Sequence, residues 1–167
     1  MSYKNKTYVI FDGDTDMWAY GYMKGWKSNE NVDFNFDDAH DVGGIRTDSQ
    51  EETVKRHLRE RFSLSSQVVV LIGEHTKNLY RYVRWEIEVA QALSLPIIAV
   101  NLNKNREIDP DRCPPILRNT FTVHVSYNKN IIQHALDHWP GYYHSNKNSS
   151  TETDLYYAGS VYRSLGL

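Results

Sequence analysis

Three long apolar runs, each rich in β-branched residues, mark the first two thirds of the chain. They cover residues 8–11, 67–73 and 96–102. An unbroken apolar run, in place of alternation with polar residues, is typical of a parallel strand that is covered on both faces. Shorter runs at residues 33–36 and 121–125 predict two further strands.

Helical patterns lie between these strands. The segment that begins near Ser49 has Glu52 three residues later, which is a capping-box signature, and its apolar stripe is Val54, Leu58 and Phe62. Strands that alternate with helices join through right-handed crossovers. We therefore expect an α/β fold: a flavodoxin-like, doubly wound three-layer sandwich with a central, mainly parallel five-stranded sheet.

The chain length favours a single domain. A sequence of 167 residues with 40% hydrophobic content is long enough to bury one full core. The last helix of this core is expected from about Asn130 to Trp139, because Pro140 and Gly141 follow it. We therefore predict a domain at residues 1–140. Residues 141–167 are expected to form a linker and a short C-terminal aromatic helix or tail.

Charge and cysteine content exclude several classes of protein. The formal net charge is -2, so no basic surface for nucleic acid is expected. No apolar stretch approaches the length of a membrane span, and no signal-peptide pattern opens the chain. Cys113 is the single cysteine, which rules out an intramolecular disulfide. These features favour a cytoplasmic protein that binds neither nucleic acid nor membranes.

Glu86 interrupts an otherwise apolar helical face. At roughly 100° per residue, this carboxylate falls near the centre of one arc of residues. The arc consists of Leu79, Tyr82, Val83, Ile87, Ala90 and Leu93. Burying a carboxylate costs several kcal/mol unless a partner compensates it. Two interpretations remain open: a chemical role, or a structural carboxylate held by Tyr82 or by an arginine from elsewhere. Glu88, four residues after Arg84, is expected to face solvent.

The carboxyl ends of the predicted strands carry further polar residues. Phe11, Asp12 and Gly13 follow the first strand, and His75 and Thr76 follow the central one. Ligands of doubly wound sheets collect at these ends. For His75 and Thr76 two interpretations stand, a helix-capping turn or a polar wall that faces a ribose or an amide. The sequence contains neither a phosphate loop nor a dinucleotide fingerprint.

The strand at residues 68–74, Thr76 and the segment 82–87 together resemble the TIR (Toll/interleukin-1 receptor) superfamily. The resemblance is closest to its bacterial TIR-like branch, which includes the NAD-processing subunit of Thoeris anti-phage systems. It covers about residues 6–139. Its most specific part is an aromatic residue four positions before a glutamate, here Tyr82 and Glu86. The family usually has Trp where this chain has Tyr82.

The resemblance implies an NAD⁺ glycohydrolase or cyclase that makes an ADP-ribose-type signal in bacterial immunity. Glu86 would be the catalytic residue. The substrate-binding residues would be Phe11, Asp12, Gly13, His75, Thr76, Tyr82 and Trp85. No cofactor or metal is expected, because NAD⁺ is the substrate. The resemblance also implies self-association and a downstream nucleotide-sensing effector. Two alternatives remain: a non-catalytic TIR-like interaction module, and a nucleoside deoxyribosyltransferase-like enzyme.

Overall fold

The computed structural model describes residues 6–28, 37–38, 50–79 and 81–167. Its strands are β1 (Lys6–Ile10), β2 (Asp37–Asp38), β3 (Gln67–Ile72), β4 (Ile97–Asn101), β5 (Val123–Ser126) and β6 (Leu155–Tyr156). Its α-helices are α1 (Met17–Ser28), α2 (Glu51–Phe62), α3 (Tyr82–Ala92), α4 (Lys129–Asn146) and α5 (Gly159–Ser164). Among these residues, no helix combines the length and apolar character that crossing a membrane requires.

All strands belong to one parallel sheet with the order β2-β1-β3-β4-β5-β6. The predicted α/β class and parallel sheet are therefore confirmed. In the described part of the chain the sheet has six strands, one more than predicted, because the C-terminal segment adds β6. The strand predicted at residues 33–36 lies outside the described residues. The described strand next to these residues is β2, at Asp37–Asp38.

Helices cover both faces of the sheet, which gives the predicted three layers. Alternate residues of a strand point to opposite faces. Val9 and Val69 pack with α1, α4 and α5, whereas Tyr8 and Val68 pack with α2 and α3. Every residue of β3 is buried. Burial on both sides explains why the strand sequences are continuously apolar.

The C-terminal segment completes the core of this domain. The prediction that the last helix ends at Trp139 is wrong, because α4 continues to Asn146 through Pro140. Proline costs a helix one hydrogen bond, but its ring is buried here and apolar burial offsets that cost. The predicted boundary at residue 140 thus falls inside a helix. Beyond it, Tyr162 is fully buried, and its hydroxyl accepts a hydrogen bond from the Ser126 amide.

Candidate active site

A cleft of about 480 Å³ opens at the carboxyl ends of β1 and β3. The chain leaves β1 towards β2 on one side, whereas β3 lies on the other side of β1. The order of strands therefore reverses between β1 and β3. In doubly wound sheets this reversal separates the loops that follow two neighbouring strands and creates a crevice between them. The position of the cleft follows from the topology.

Three segments line the cleft: the loop after β1, the segment between β3 and α3, and the first turns of α3. The lining residues are Phe11, Asp12, Gly13, Asp14, Asn78, Leu79, Arg81, Tyr82, Val83 and Glu86. The structure therefore brings together five residues of the predicted site, namely Phe11, Asp12, Gly13, Tyr82 and Glu86. The other five lining residues were not predicted as site residues. Leu79 and Val83 do belong to the apolar arc around Glu86, and the position of Asp14 directly after the first strand was a further signal.

Glu86 forms part of the cleft wall, and its carboxyl group is mostly enclosed. The residue as a whole is partly exposed, but its Oε2 atom is buried and has no hydrogen-bond partner in the described part of the chain. Burial raises the pKa of Glu86 to about 8, although a hydrogen bond from Tyr8 and the charge of Arg61 oppose this increase. At neutral pH the resting carboxyl group is therefore mainly protonated.

Tyr8 and Arg61 both interact with this carboxyl group. Tyr8 lies on β1 and is 2% exposed. Its hydroxyl is hydrogen-bonded to both Glu86 and Arg61. From the sequence, an arginine elsewhere in the chain was one expected partner of Glu86, whereas Tyr8 was not expected as a partner. A tyrosine inside a β-branched run gives no sign of a polar role, because strand patterns include aromatic residues for packing alone.

The loop after β1 is fixed by its own hydrogen bonds. The Asp12 carboxylate accepts hydrogen bonds from the Asp14 amide at 3.0 Å and from the Thr15 hydroxyl at 2.7 Å. Asp16 is 6% exposed, and its carboxyl group lies against Gly73 at the end of β3. Burial, followed by the charge of Asp12, raises the pKa of Asp16. The side chains of this loop thus set the shape of one wall before any ligand binds.

Three residues of the predicted site lie outside the cleft lining. Thr76 is buried, and its hydroxyl accepts a hydrogen bond from the Gly73 amide at 2.9 Å, so it holds the turn that follows β3 and does not cap the 3₁₀ turn. His75 is exposed and precedes the 3₁₀ turn at Thr76–Asn78. Trp85 is 9% exposed and packs in the core with α2. Its ring contacts Tyr82 at 5.5 Å, so it supports the cleft indirectly.

The polar side of α3 also differs from the prediction. Glu88 was expected to face solvent, but its side chain is only 27% exposed. It bridges Arg84 at 2.9 Å and Lys55 of α2 at 2.6 Å. Leu93, expected on the buried face, is 42% exposed. The α3 helix buries two sides because it contacts α2 as well as the sheet, and a single apolar arc does not describe that arrangement.

Tyr82 and Arg81 place an aromatic ring and a cation at the cleft. The ring of Tyr82 lies at the first turn of α3. The guanidinium carbon of Arg81 lies 5.9 Å from the centre of this ring and 5.6 Å from that of Trp85. Arg81 itself is exposed. The cleft therefore combines a flat apolar surface, a positive charge and an enclosed carboxyl group.

Residues 2–107 match the sequence model of the family described as Thoeris protein ThsB, TIR-like domain. The chain belongs to this family. The resemblance to the TIR-like superfamily and to its Thoeris branch is confirmed. Every residue that lines the cleft lies within the part of the chain that matches the ThsB family. The match ends before β5, so α4, β6 and α5 lie beyond it.

Proposed function

We propose that this protein cleaves the nicotinamide–ribose bond of NAD⁺, as a glycohydrolase or a cyclase. One observation carries the proposal: Glu86 contributes to the wall of the cleft at the strand ends a carboxyl oxygen that has no hydrogen-bond partner among the residues that the structure describes. A buried polar atom without a partner costs free energy, and active sites commonly contain such atoms. Membership of the ThsB family supports a TIR-like role in anti-phage defence.

The reaction needs a single carboxylate and no metal. The bond between ribose C1′ and the nicotinamide nitrogen breaks, and its electron pair neutralises the positive nicotinamide ring. The sugar passes through an oxocarbenium-like state, which a neighbouring carboxylate stabilises. In hydrolysis a water oxygen bonds to C1′ and releases a proton. In cyclisation, a nitrogen of the adenine or a ribose hydroxyl of the same molecule bonds to C1′ instead.

The raised pKa of Glu86 fits a cationic substrate. In the resting protein the carboxyl group is mainly protonated at neutral pH. A positive nicotinamide ring beside it favours the ionised form, because an opposite charge lowers the pKa of a carboxyl group. Glu86 would then accept hydrogen bonds from the ribose hydroxyls through Oε2. The substrate itself would thus generate the charged group that the reaction requires.

The remaining surfaces of the cleft suit the other parts of a dinucleotide. Pockets for ligands of this kind measure roughly 300–1,000 Å³, and this cleft measures about 480 Å³. We assign the Tyr82 ring to stacking on a base or on nicotinamide. We assign Arg81 to the diphosphate, because its guanidinium can donate charge-assisted hydrogen bonds to phosphate oxygens. Phe11, Asp12 and Gly13 would form the opposite wall.

We further propose that self-association raises the activity and that the product acts on a nucleotide-sensing effector. The basis is the family relationship. Turnover per molecule should then increase with protein concentration and should follow the fraction of oligomer measured by sedimentation. Constant turnover from a protein that stays monomeric at every concentration would contradict this part of the proposal.

The deciding experiment measures NAD⁺ consumption with concentrated wild-type protein, Glu86→Gln and Glu88→Gln. Glu86→Gln should abolish cleavage, because it removes the ionisable group and leaves the shape unchanged. Glu88→Gln is the matched control on the same helix and should retain activity. Nucleoside exchange is assayed in parallel, since a deoxyribosyltransferase would use the glutamate as a nucleophile. Equal activity of the two variants would refute the role of Glu86.

A second candidate function is a non-catalytic interaction module. The observation that favours it is an apolar patch at the start of α1, where Met17, Trp18 and Tyr22 are 46%, 48% and 61% exposed. Exposed apolar side chains that cluster on one helix mark contact surfaces. If wild-type protein and Glu86→Gln are equally silent towards NAD⁺ as monomers and as oligomers, this function replaces the enzymatic one.

A further inference from the structure

A second cavity, of about 550 Å³, lies between the C-terminal half of α4 and β6. Its lining residues are Val123, His138, Trp139, Gly141, Tyr142, Ser145, Asn146, Leu155, Tyr156 and Tyr157. All of them lie beyond residues 2–107, which match the ThsB family. The cavity therefore belongs to the part of the chain that the family relationship does not explain.

Aromatic rings dominate this cavity, and contacts inside the protein hold two of them in place. The rings of Trp139 and Tyr142 are stacked, with centroids 5.7 Å apart and planes at 26°. The Tyr142 hydroxyl donates a hydrogen bond to Glu152 at 3.2 Å. Tyr142 is nevertheless 45% exposed, and Tyr156 on β6 is 54% exposed. A flat molecule that enters between them would cover apolar ring surface that now contacts water.

The polar side chains of the cavity can form hydrogen bonds. His138, Ser145 and Asn146 contribute an imidazole, a hydroxyl and an amide. Its described lining residues include no Asp, Glu, Lys or Arg. The Trp139 indole N–H is buried without a hydrogen-bond partner in the described part of the chain, although the residue is only 2% exposed. Because this N–H is buried, the exposed part of the Trp139 side chain offers the cavity ring surface and not a hydrogen-bond donor.

We propose that this cavity binds an uncharged, flat ring compound of nucleoside size. The aromatic walls fit stacking on a planar heterocycle, and the polar side chains fit its ring nitrogens, amide or hydroxyl groups. Among the described lining residues, a phosphate group would find no lysine or arginine. This cavity shares no lining residue with the Glu86 cleft. The proposal therefore does not depend on whether the protein cleaves NAD⁺.

Gly141 offers a precise way to test the site. It lies on α4 and lines the cavity, and nothing lies within 4 Å of the position where a Cβ would be. A leucine there would extend into open space and occupy part of the cavity. Because glycine is a poor helix residue, Gly141→Leu should fold at least as stably as the wild type. Gly25 on α1 is the matched control, since it is also helical, exposed and free of neighbours within 4 Å.

The experiment measures binding of adenosine by calorimetry and by saturation-transfer NMR. Wild-type protein should bind adenosine, and Gly141→Leu should weaken binding by about tenfold or more, because the filled volume excludes the ring. Gly25→Leu should bind like the wild type, and so should Glu86→Gln, which alters the other cleft. Tyr156→Ala should weaken binding without loss of fold. Adenosine monophosphate should bind no more tightly than adenosine, and N-acetylglucosamine, which is not flat, should not compete.

Several results would overturn the proposal. Adenosine binding that persists in Gly141→Leu would lie elsewhere on the protein. A preference of the wild type for the monophosphate that Gly141→Leu removes would show that a cation takes part in this cavity. Absence of adenosine binding to wild-type protein would refute the site. A change of oligomeric state in Gly141→Leu and Tyr156→Ala, without any change in adenosine binding, would identify the face as a contact between copies of the chain.

Discussion

The hydroxyl group of Tyr8 on β1 is hydrogen-bonded to the carboxyl group of Glu86 on α3. This bond ties the candidate catalytic acid to the central sheet. The ring of Tyr8 is itself held by Phe62 of α2, with centroids 4.4 Å apart and planes at 83°. The position of the acid therefore depends on three elements that no local sequence pattern connects.

Tyr8→Phe should make NAD⁺ cleavage require a higher pH. The hydrogen bond from Tyr8 lowers the pKa of Glu86 against the larger effect of burial. Without that bond, the pH of half-maximal activity should rise by about one unit, and the free energy of unfolding should fall by about 1 kcal/mol. A pH–rate profile and denaturant unfolding measure the two effects.

Tyr127→Phe is the control for this prediction. Tyr127 is also buried, at 9% exposure, and its hydroxyl donates a hydrogen bond to the Ala19 carbonyl at 2.8 Å. Loss of this hydrogen bond should lower the free energy of unfolding by a similar amount without shifting the pH–rate profile. A profile that is identical for Tyr8→Phe and the wild type would show that Tyr8 acts only in packing.

The Glu86 carboxyl group should make the wild-type protein less stable as the pH rises. Its pKa increases from 4.5 to about 8 on folding. Between these values the folded state binds a proton that the unfolded state has lost. The free energy of unfolding should therefore fall by up to about 1.4 kcal/mol per pH unit across this range. The contribution is fully present below the lower pKa and is lost as the pH passes the upper one.

Glu86→Gln removes this titration. The free energy of unfolding of the variant should therefore increase relative to that of the wild type from pH 5 to pH 8. Guanidinium unfolding at several pH values measures it. Other titrating groups, such as Asp16, are common to both proteins and cancel in the difference. Parallel stability curves for the two proteins would mean that Glu86 is ionised in the folded state throughout.

Gly73→Ala should destabilise the protein by roughly 1–3 kcal/mol, because it introduces a clash into a packed region. An added Cβ would overlap the carboxyl group of Asp16, whose Cγ would lie 2.7 Å away. Combining it with Asp16→Ala should cost less than the sum of the two single changes. Gly13→Ala is the control, since nothing lies within 4 Å of its added Cβ. Unfolding free energies that simply add would rule out the clash.

Tyr162→Ala should cost about 3–5 kcal/mol, the usual range for truncating a large buried ring. Tyr162 is 0% exposed and belongs to the core between the sheet and α1, α4 and α5. Tyr22→Ala, at a position that is 61% exposed, should change the stability little. Chemical denaturation of both variants tests whether the C-terminal segment is part of the cooperative fold. Equal stability of the two variants would show that the C-terminal segment is not part of the cooperative fold.

The sheet and the helix of Glu86 were predictable because both follow from repeated local patterns. Val68 to Ile72 are apolar without interruption, and this pattern specifies a strand covered on both faces. Glu86 was conspicuous because it interrupts an apolar arc. By contrast, β6 consists of two residues, Leu155–Tyr156, and a segment this short contains no periodicity. Only its pairing with β5 makes it a strand.

The errors share a physical cause, which is contact between elements distant in sequence. Trp85 lies outside the cleft lining, because the neighbouring α2 makes its side of α3 a second buried face. Lys55 of α2 draws Glu88 into an ion pair for the same reason. Pro140 was taken as the end of a helix, whereas its burial within α4 keeps that helix intact. The pattern within one segment of sequence does not show which distant element packs against it.

Beyond β5 the described part of the sheet ends in β6, a strand of two residues, Leu155–Tyr156. A strand this short offers an incoming chain few main-chain hydrogen bonds, which is one way in which native proteins avoid open-ended stacking of sheets. At this edge of the sheet, main-chain pairing between copies of the protein is therefore disfavoured, and a contact between copies there has to be made by side chains.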